Sequence, residues 1–178
     1  MEISIVQSVC IGIIFLFLLC VYIVYVMVSF HFMKNFKRKI DTSSETINVL
    51  IFQKFQNLYE ISNILLKLGY DNPKLLDFIK NQKTIKYKKI EAKNFDNVYN
   101  DTEKTYSIIK GVCVNLKNSD DTRELVNILK TIDELNKKYF ETIQLYNTYV
   151  VGFNYWRNLF FTKWVKVLFR KDEIDTIK

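Results

Sequence analysis

The sequence predicts an all-α protein, with an N-terminal transmembrane helix followed by an antiparallel bundle of about four long helices. Three observations predict it. An uncharged run of 22 residues lies near the start, from Val9 to Phe30. Beyond it, apolar residues recur at steps of three and four over long stretches, the period of a helix with one buried face. One Pro and four Gly among 178 residues are too few for the many tight turns of an all-β fold. The expected divisions are a short N-terminal segment (1–8), the transmembrane helix (9–30), a helical-bundle domain (31–155) and a basic, aromatic amphipathic segment (156–178).

The first element is the uncharged run. As a helix, 22 residues extend about 33 Å, enough for a hydrocarbon core of roughly 30 Å. In lipid every backbone polar group must find an internal partner, which a helix supplies. A cleaved signal peptide would carry a basic start and a shorter apolar stretch. Here the leading "MEISIVQS" has no Lys or Arg, and bulky residues with a basic cluster follow the run. That cluster, Lys34, Lys37, Arg38 and Lys39, makes the charge of the flanks unequal. The positive-inside rule then predicts a single-pass cell-membrane protein, N-terminus outside and C-terminal domain in the cytoplasm.

The second element is a long amphipathic helix. Phe36, Ile40, Ile47, Leu50, Ile51, Phe55, Leu58, Ile61, Leu65 and Leu68 form its stripe, interrupted by Ser43. No Pro or Gly separates it from the anchor. Gly69 ends it, and "GYDNP" reads as a turn in which Asn72-Pro73 can open the next helix. Leu75, Leu76, Phe78 and Ile79 share a face there. A third, shorter helix carries Ile108, Ile109, Val112 and Leu116, with Asp101 or Thr102 expected as its cap. "KNSDDTREL" breaks the pattern again, and Asp120 or Asp121 can cap a fourth helix. Its stripe runs Leu125, Ile128, Ile132, Leu135, Tyr139, Thr142, Tyr146, Tyr149, Phe153, Trp156 and Phe160. Only Thr142 is polar, with Ile143 beside it.

Within that stripe "YNTYVVGFNYWRNLFF" holds Tyr146-Asn147 and, seven residues on, Phe153-Asn154. Seven residues are two helical turns, so the rings line up. They read as knobs on a coiled-coil-like seam. Asn147 and Asn154 flank it, where an amide can reach a neighbouring helix and fix register; the rival reading is that both are solvated and the spacing is chance. Gly152 between them costs roughly 1 kcal/mol in a helix interior and permits a close approach.

This stretch resembles the C-terminal signature of LemA-type membrane proteins, which places Tyr-Asn, Val, Tyr-Asn and Phe at the same offsets. Tyr146, Asn147, Val150, Phe153, Asn154 and Phe160 occupy those places, Phe153 standing for the second Tyr. After the anchor, Lys37, Lys39, Ile40, Asp41, Ile47, Val49, Ile51, Lys54, Phe55, Leu58 and Ile61 resemble the family's basic, apolar and aromatic positions. Ser44 and Tyr59-Glu60 depart from it, where the family usually has Trp and Pro-Asn. The resemblance covers about two thirds of the chain. It implies one membrane helix, an antiparallel helical bundle and no established enzymatic activity. The implied function is a non-enzymatic helical scaffold or interaction module at the membrane. The alternative is a membrane-organising protein that grips the bilayer through its anchor and its C-terminal segment.

That last segment, Tyr155 to Lys171, mixes large apolar residues with Arg157, Lys163, Lys166 and Arg170. On a helix, Lys163, Lys166 and Arg170 share one face. Trp156, Phe160, Trp164 and Leu168 share another, the pattern of an interfacial helix on anionic lipid. The formal charge of +7 agrees with such a partner. Packing of the aromatics into the bundle with solvated lysines is the rival reading.

Catalytic machinery is not indicated. The single His, His31, adjoins the anchor and cannot supply the paired Glu-x-x-His of a di-iron bundle. The three cysteines make no CxxC or Cys/His spacing. Neither a phosphate loop nor a Ser/His/Asp set occurs. Asp120-Asp121 and Asp133-Glu134 are sequence neighbours, which diverge on a helix. The Lys-rich run from Lys80 to Lys93 lacks an aromatic platform, so it reads as a solvated face and not as a nucleic-acid site. Hence neither cofactor nor metal is expected. The expected partners are the membrane and a protein, and a homo-oligomer is compatible with the seam.

Overall fold

A computed structural model of the chain describes residues 2–70, 72, 73, 76, 77, 90–113, 120–159 and 174–177. Three α-helices make up the described residues, which contain no strand: α1 (Glu2–Lys67), α2 (Phe95–Cys113) and α3 (Asp120–Asn158). A single 3₁₀ turn, Ala92–Asn94, leads into α2. The chain divides into two compact units. The first comprises Met1–Ile40 with Tyr149–Ile174, the second Asp41–Thr148 with Asp175–Lys178.

Helix α1 has 66 residues and runs without a break from the apolar run into the amphipathic stripe. It ends where the backbone turns left-handed at Gly69, φ 84°. The Tyr70 N–H donates to the Leu65 carbonyl and the Gly69 N–H to the Leu66 carbonyl, both at 3.0 Å. This crossed pair satisfies carbonyls that the last turn leaves open, and it favours a residue without a Cβ at the left-handed position.

In the first unit, α1 and α3 pair antiparallel. The Phe32 ring stacks on Trp156 with centroids 4.9 Å apart, and the Lys39 ammonium lies 5.2 Å from the Tyr149 ring. Between these pairs Phe36 packs on Gly152. A Cβ at Gly152 would stand 2.7 Å from Phe36 Cε1, so the missing side chain is what lets the ring in.

In the second unit all three helices share a core. Leu58, Ile61 and Leu65 from α1 meet Tyr106 and Ile109 from α2 and Leu125 and Ile132 from α3. The residues on α1 and α2 recur at three or four, and Leu125 and Ile132 are two turns apart with Ile128 and Leu129 packed between them, so one stripe per helix is withdrawn from water. A fully buried Leu or Ile contributes roughly 1.5–3 kcal/mol in this way. Of the adjacent Thr142 and Ile143, the core takes Ile143, and the Thr142 hydroxyl donates to the Lys138 carbonyl at 2.7 Å.

The start of α2 differs from the expected cap at Asp101 or Thr102. The helix begins at Phe95, so both residues lie inside it. Phe95 and Tyr99 are buried and draw the preceding turn and a half into the core. The Thr102 hydroxyl is buried too and donates to the Tyr99 carbonyl at 2.6 Å, so it is satisfied within the helix and caps nothing. The helix expected after Asn72-Pro73 falls mostly outside the described residues. At its start the Leu76 N–H donates to the Asn72 carbonyl at 3.1 Å, one helical turn.

Candidate functional site

Three features stand out as candidates for function: the apolar surface of α1, a set of asparagine clamps and a buried lysine. Along α1 every residue from Gln7 to Val24 is exposed, with Phe15 at 68 % and Phe17 at 66 %. The exposure runs round the whole helix and not along one face. A soluble domain rarely shows a contiguous apolar patch beyond a few hundred Å². Among the described residues this is one helix long and apolar enough to cross a membrane.

Beyond the apolar run, Lys34, Arg38 and Lys39 are exposed and Lys37 is half-buried. Trp156 is half-buried against Phe32, two residues beyond the apolar run, and Arg157 is half-buried beside it. Aromatic rings at this level suit the membrane–water boundary, with one apolar face and one wet edge. Lys163, Trp164, Lys166, Arg170 and Phe160 lie outside the described residues. Of the amphipathic helix read over Tyr155–Lys171, α3 supplies Tyr155–Asn158 and the rest is also outside them.

The residues that carry the resemblance and the bundle seam take distinct jobs. Tyr146, Val150 and Phe153 are buried on α3, and Ile47 is buried on α1, while Phe55 is half-buried. The two asparagines do not reach a neighbouring helix, as their place beside the seam suggested. In the second unit the Asn147 amide donates to the Ile177 carbonyl at 2.7 Å, and its oxygen accepts from the Ile177 N–H at 2.8 Å. In the first unit Asn154 makes the same pair with Ile174, at 2.8 and 3.4 Å. Asn48 on α1 repeats it with Ile90, at 3.3 and 2.7 Å. In each case one side-chain amide satisfies both backbone groups of one non-helical residue. The sequence marks Asn147 and Asn154 by their repeat, but nothing local says that their partners lie 20 to 30 residues further on.

The buried lysine escaped sequence reasoning as a functional candidate. Lys54 projects from the buried stripe of α1 and is 2 % exposed. Its ammonium donates to the Glu103 carboxylate on α2. It also faces the rings of Tyr99 at 4.0 Å and Tyr106 at 5.9 Å. Tyr99 stacks on Tyr139 of α3 with centroids 4.0 Å apart, and the Tyr106 hydroxyl donates to Asp133 at 2.6 Å. The electrostatics follow from burial. Desolvation holds the Lys54 pKa below its ordinary value, although Glu103 and Asp133 pull it up. Burial, helped by the nearby carboxylates, pushes the Tyr99 and Tyr106 hydroxyls up. Tyr139 is raised by burial first and by Asp96 second.

Chemically the cluster resembles a lock more than a reaction centre. A lysine with lowered pKa can serve as base or nucleophile when a substrate reaches it. Lys54 is closed in by its own partners. The open groove of about 580 Å³ in the second unit is lined by Tyr59, Glu60, Asn63, Ile64, Lys67, Leu68 and Glu124, and does not include it. Among the described residues no three His, Cys, Asp or Glu gather as a metal site. The cluster links α1, α2 and α3 by directed contacts: Lys54 to Glu103, Tyr99 on Tyr139, and Tyr106 to Asp133.

No family model, curated protein or solved structure matches this chain.

Proposed function

We propose that the chain is a single-pass membrane protein whose helical part is a non-enzymatic scaffold that binds another protein at the membrane surface. The observation that carries this reading is the uncharged stretch of α1, exposed on all sides and continuous with the amphipathic helix that follows it. Lipid is the solvent that suits such a surface. The cationic flank of Lys34, Lys37, Arg38 and Lys39 supports anionic headgroups beside it and a cytoplasmic C-terminal part. On this reading the helices form a LemA-type bundle of about four, the fourth being the segment opened by Pro73. The signature residues support that assignment by what they do: Tyr146, Val150 and Phe153 build the core, and Asn147 and Asn154 hold backbone.

The test is made on the full chain in its native membranes. It should stay in the pellet after alkaline carbonate extraction and retain a protein partner after mild crosslinking. Release by carbonate would remove the anchor. A crosslinked eluate with no partner above background would remove the scaffold role.

A further inference from the structure

In the first unit, the face of α1 that meets α3 does not stop where the uncharged run begins. Phe32 on Trp156 and Phe36 on Gly152 set the register of the two helices. Counting back from Phe36 by helical steps passes Phe32, then Ser29, then Tyr25 and Val26. Ser29 is buried, and Tyr25 and Val26 are half-buried. All three belong to the uncharged run, yet they differ from residues 7–24, which are exposed on every side. Helix α3 meanwhile continues past Trp156. The Leu159 N–H donates to the Tyr155 carbonyl at 3.2 Å, so the helical turn holds as far as Leu159. Three residues of helix advance about 4.5 Å. In an antiparallel pair, that step carries the end of α3 from the level of Phe32 to the level of Ser29, beside the last turn of the uncharged run.

We propose that α3 returns to the bilayer and ends in its headgroup layer, where residues 155–158 make a second contact with anionic phospholipid. This rests on the reading of the uncharged stretch as membrane-spanning. With that stretch in lipid, Phe30 marks the hydrocarbon boundary, and the polar layer adds about 5–7 Å on each side. Trp156, level with Phe32, lies about 3 Å beyond Phe30, and Tyr155 one rise of about 1.5 Å further. Both fall inside the polar layer. Tyr155 is 61 % exposed, and Trp156 and Arg157 are half-buried. Amphipathic rings suit that layer, and Arg157 with the exposed Lys34 supplies charge that suits anionic headgroups. A lone spanning helix sets its tilt and rotation weakly. A packed neighbour that also touches the headgroups restrains both.

Single-tryptophan versions of the full chain test it, in vesicles of phosphatidylcholine and phosphatidylglycerol whose acyl chains carry bromine. Trp156→Phe keeps a ring on Phe32, and Trp164→Phe removes the other indole. On this background Tyr155→Trp puts the reporter at the end of α3, and Phe17→Trp puts it within the uncharged stretch. Both positions are exposed, so each accepts an indole. Bromines high in the acyl chains should remove about half of the emission from position 155. Bromines near the midplane should quench position 17 more than position 155. Position 155 unquenched by either placement, with position 17 quenched, overturns the proposal and leaves the anchor standing. If position 17 is not quenched, the anchor reading fails and the proposal with it, whatever position 155 shows. Should the Trp156→Phe background fail to fold, native Trp156 in a Trp164→Phe chain is the reporter and is held to the same criterion.

Discussion

The Lys54–Glu103 pair should respond unequally to removal of its two ends. Lys54 is 2 % exposed, whereas the Glu103 side chain is 34 % exposed. Lys54→Met keeps most of the buried stem and removes the charge. The carboxylate left behind is reachable by water, and the desolvation cost of the ammonium disappears. What is lost is a partly screened ion pair and the ring contact with Tyr99, so the net loss is about 1 kcal/mol or less. Glu103→Gln leaves an ammonium in the core without its counter-charge. Breaking a buried pair from one side costs roughly 3–5 kcal/mol. Two features reduce this: the Gln oxygen still accepts the hydrogen bond, and the lowered Lys54 pKa eases deprotonation. About 2–3 kcal/mol remains. For a chain of this length that is a fall in Tm of roughly 4–12 °C for Glu103→Gln, against about 4 °C or less for Lys54→Met. The double variant should lie near Lys54→Met, because the stranded charge is gone. Thermal unfolding of the full chain in detergent, followed by far-ultraviolet circular dichroism, reads these shifts. If Lys54→Met costs as much as Glu103→Gln, the assignment of Lys54 as the desolvated partner is refuted.

Other consequences can be measured in the same preparation. With its folded pKa below 10.5, Lys54 is the group the unfolded chain protonates more readily, so stability should rise as pH climbs towards that value. Tyr99, Tyr106 and Tyr139 are raised above 10.0, so their contribution is present below that pH and is lost above it. Urea titrations across this range should show a rise followed by a steeper fall, and Lys54→Met should remove the rise alone. Gly69→Ala meets no neighbouring atom, yet must hold φ +84°, so it should cost about 1–2 kcal/mol in the same titration. Gly152→Ala gains about 1 kcal/mol of helix propensity but presses on Phe36 at 2.7 Å, an overpacking cost of about 1–3 kcal/mol. It should be destabilising on balance, and Phe36→Leu in the same chain should restore the loss.

Much of the helical architecture was readable from period alone. The stripe of Ile40, Ile47, Leu50, Ile51, Leu58, Ile61 and Leu65 is buried on α1, and Leu125, Ile132, Leu135, Tyr139, Tyr146 and Phe153 are buried on α3. A three-four repeat marks which face meets a core, because burial follows helix geometry. The stop at Gly69 was readable for a similar local reason. Lys54 was not, because a lysine on an apolar face gains its place from Glu103 and Tyr99, more than forty residues away. The beginning of α2 was misplaced because Asp and Thr suit helix caps in isolation, while the burial of Phe95 and Tyr99 prevails in the folded chain. Asn147 and Asn154 were conspicuous, yet their partners are backbone atoms, which carry no sequence signal of their own.

The separation of Lys54 from Glu103 also bears on synthesis. Chains grow from the N-terminus at about 5–20 residues per second, so the 49 residues between them take roughly 2–10 s to appear. During that interval the apolar part of α1 has already emerged, while the stripe behind it has no α2 or α3 to cover it. A protonated lysine in the middle of that stripe keeps the unfinished helix wet. A Lys54→Met chain, little changed in stability once purified, should therefore give more aggregate while it is being made.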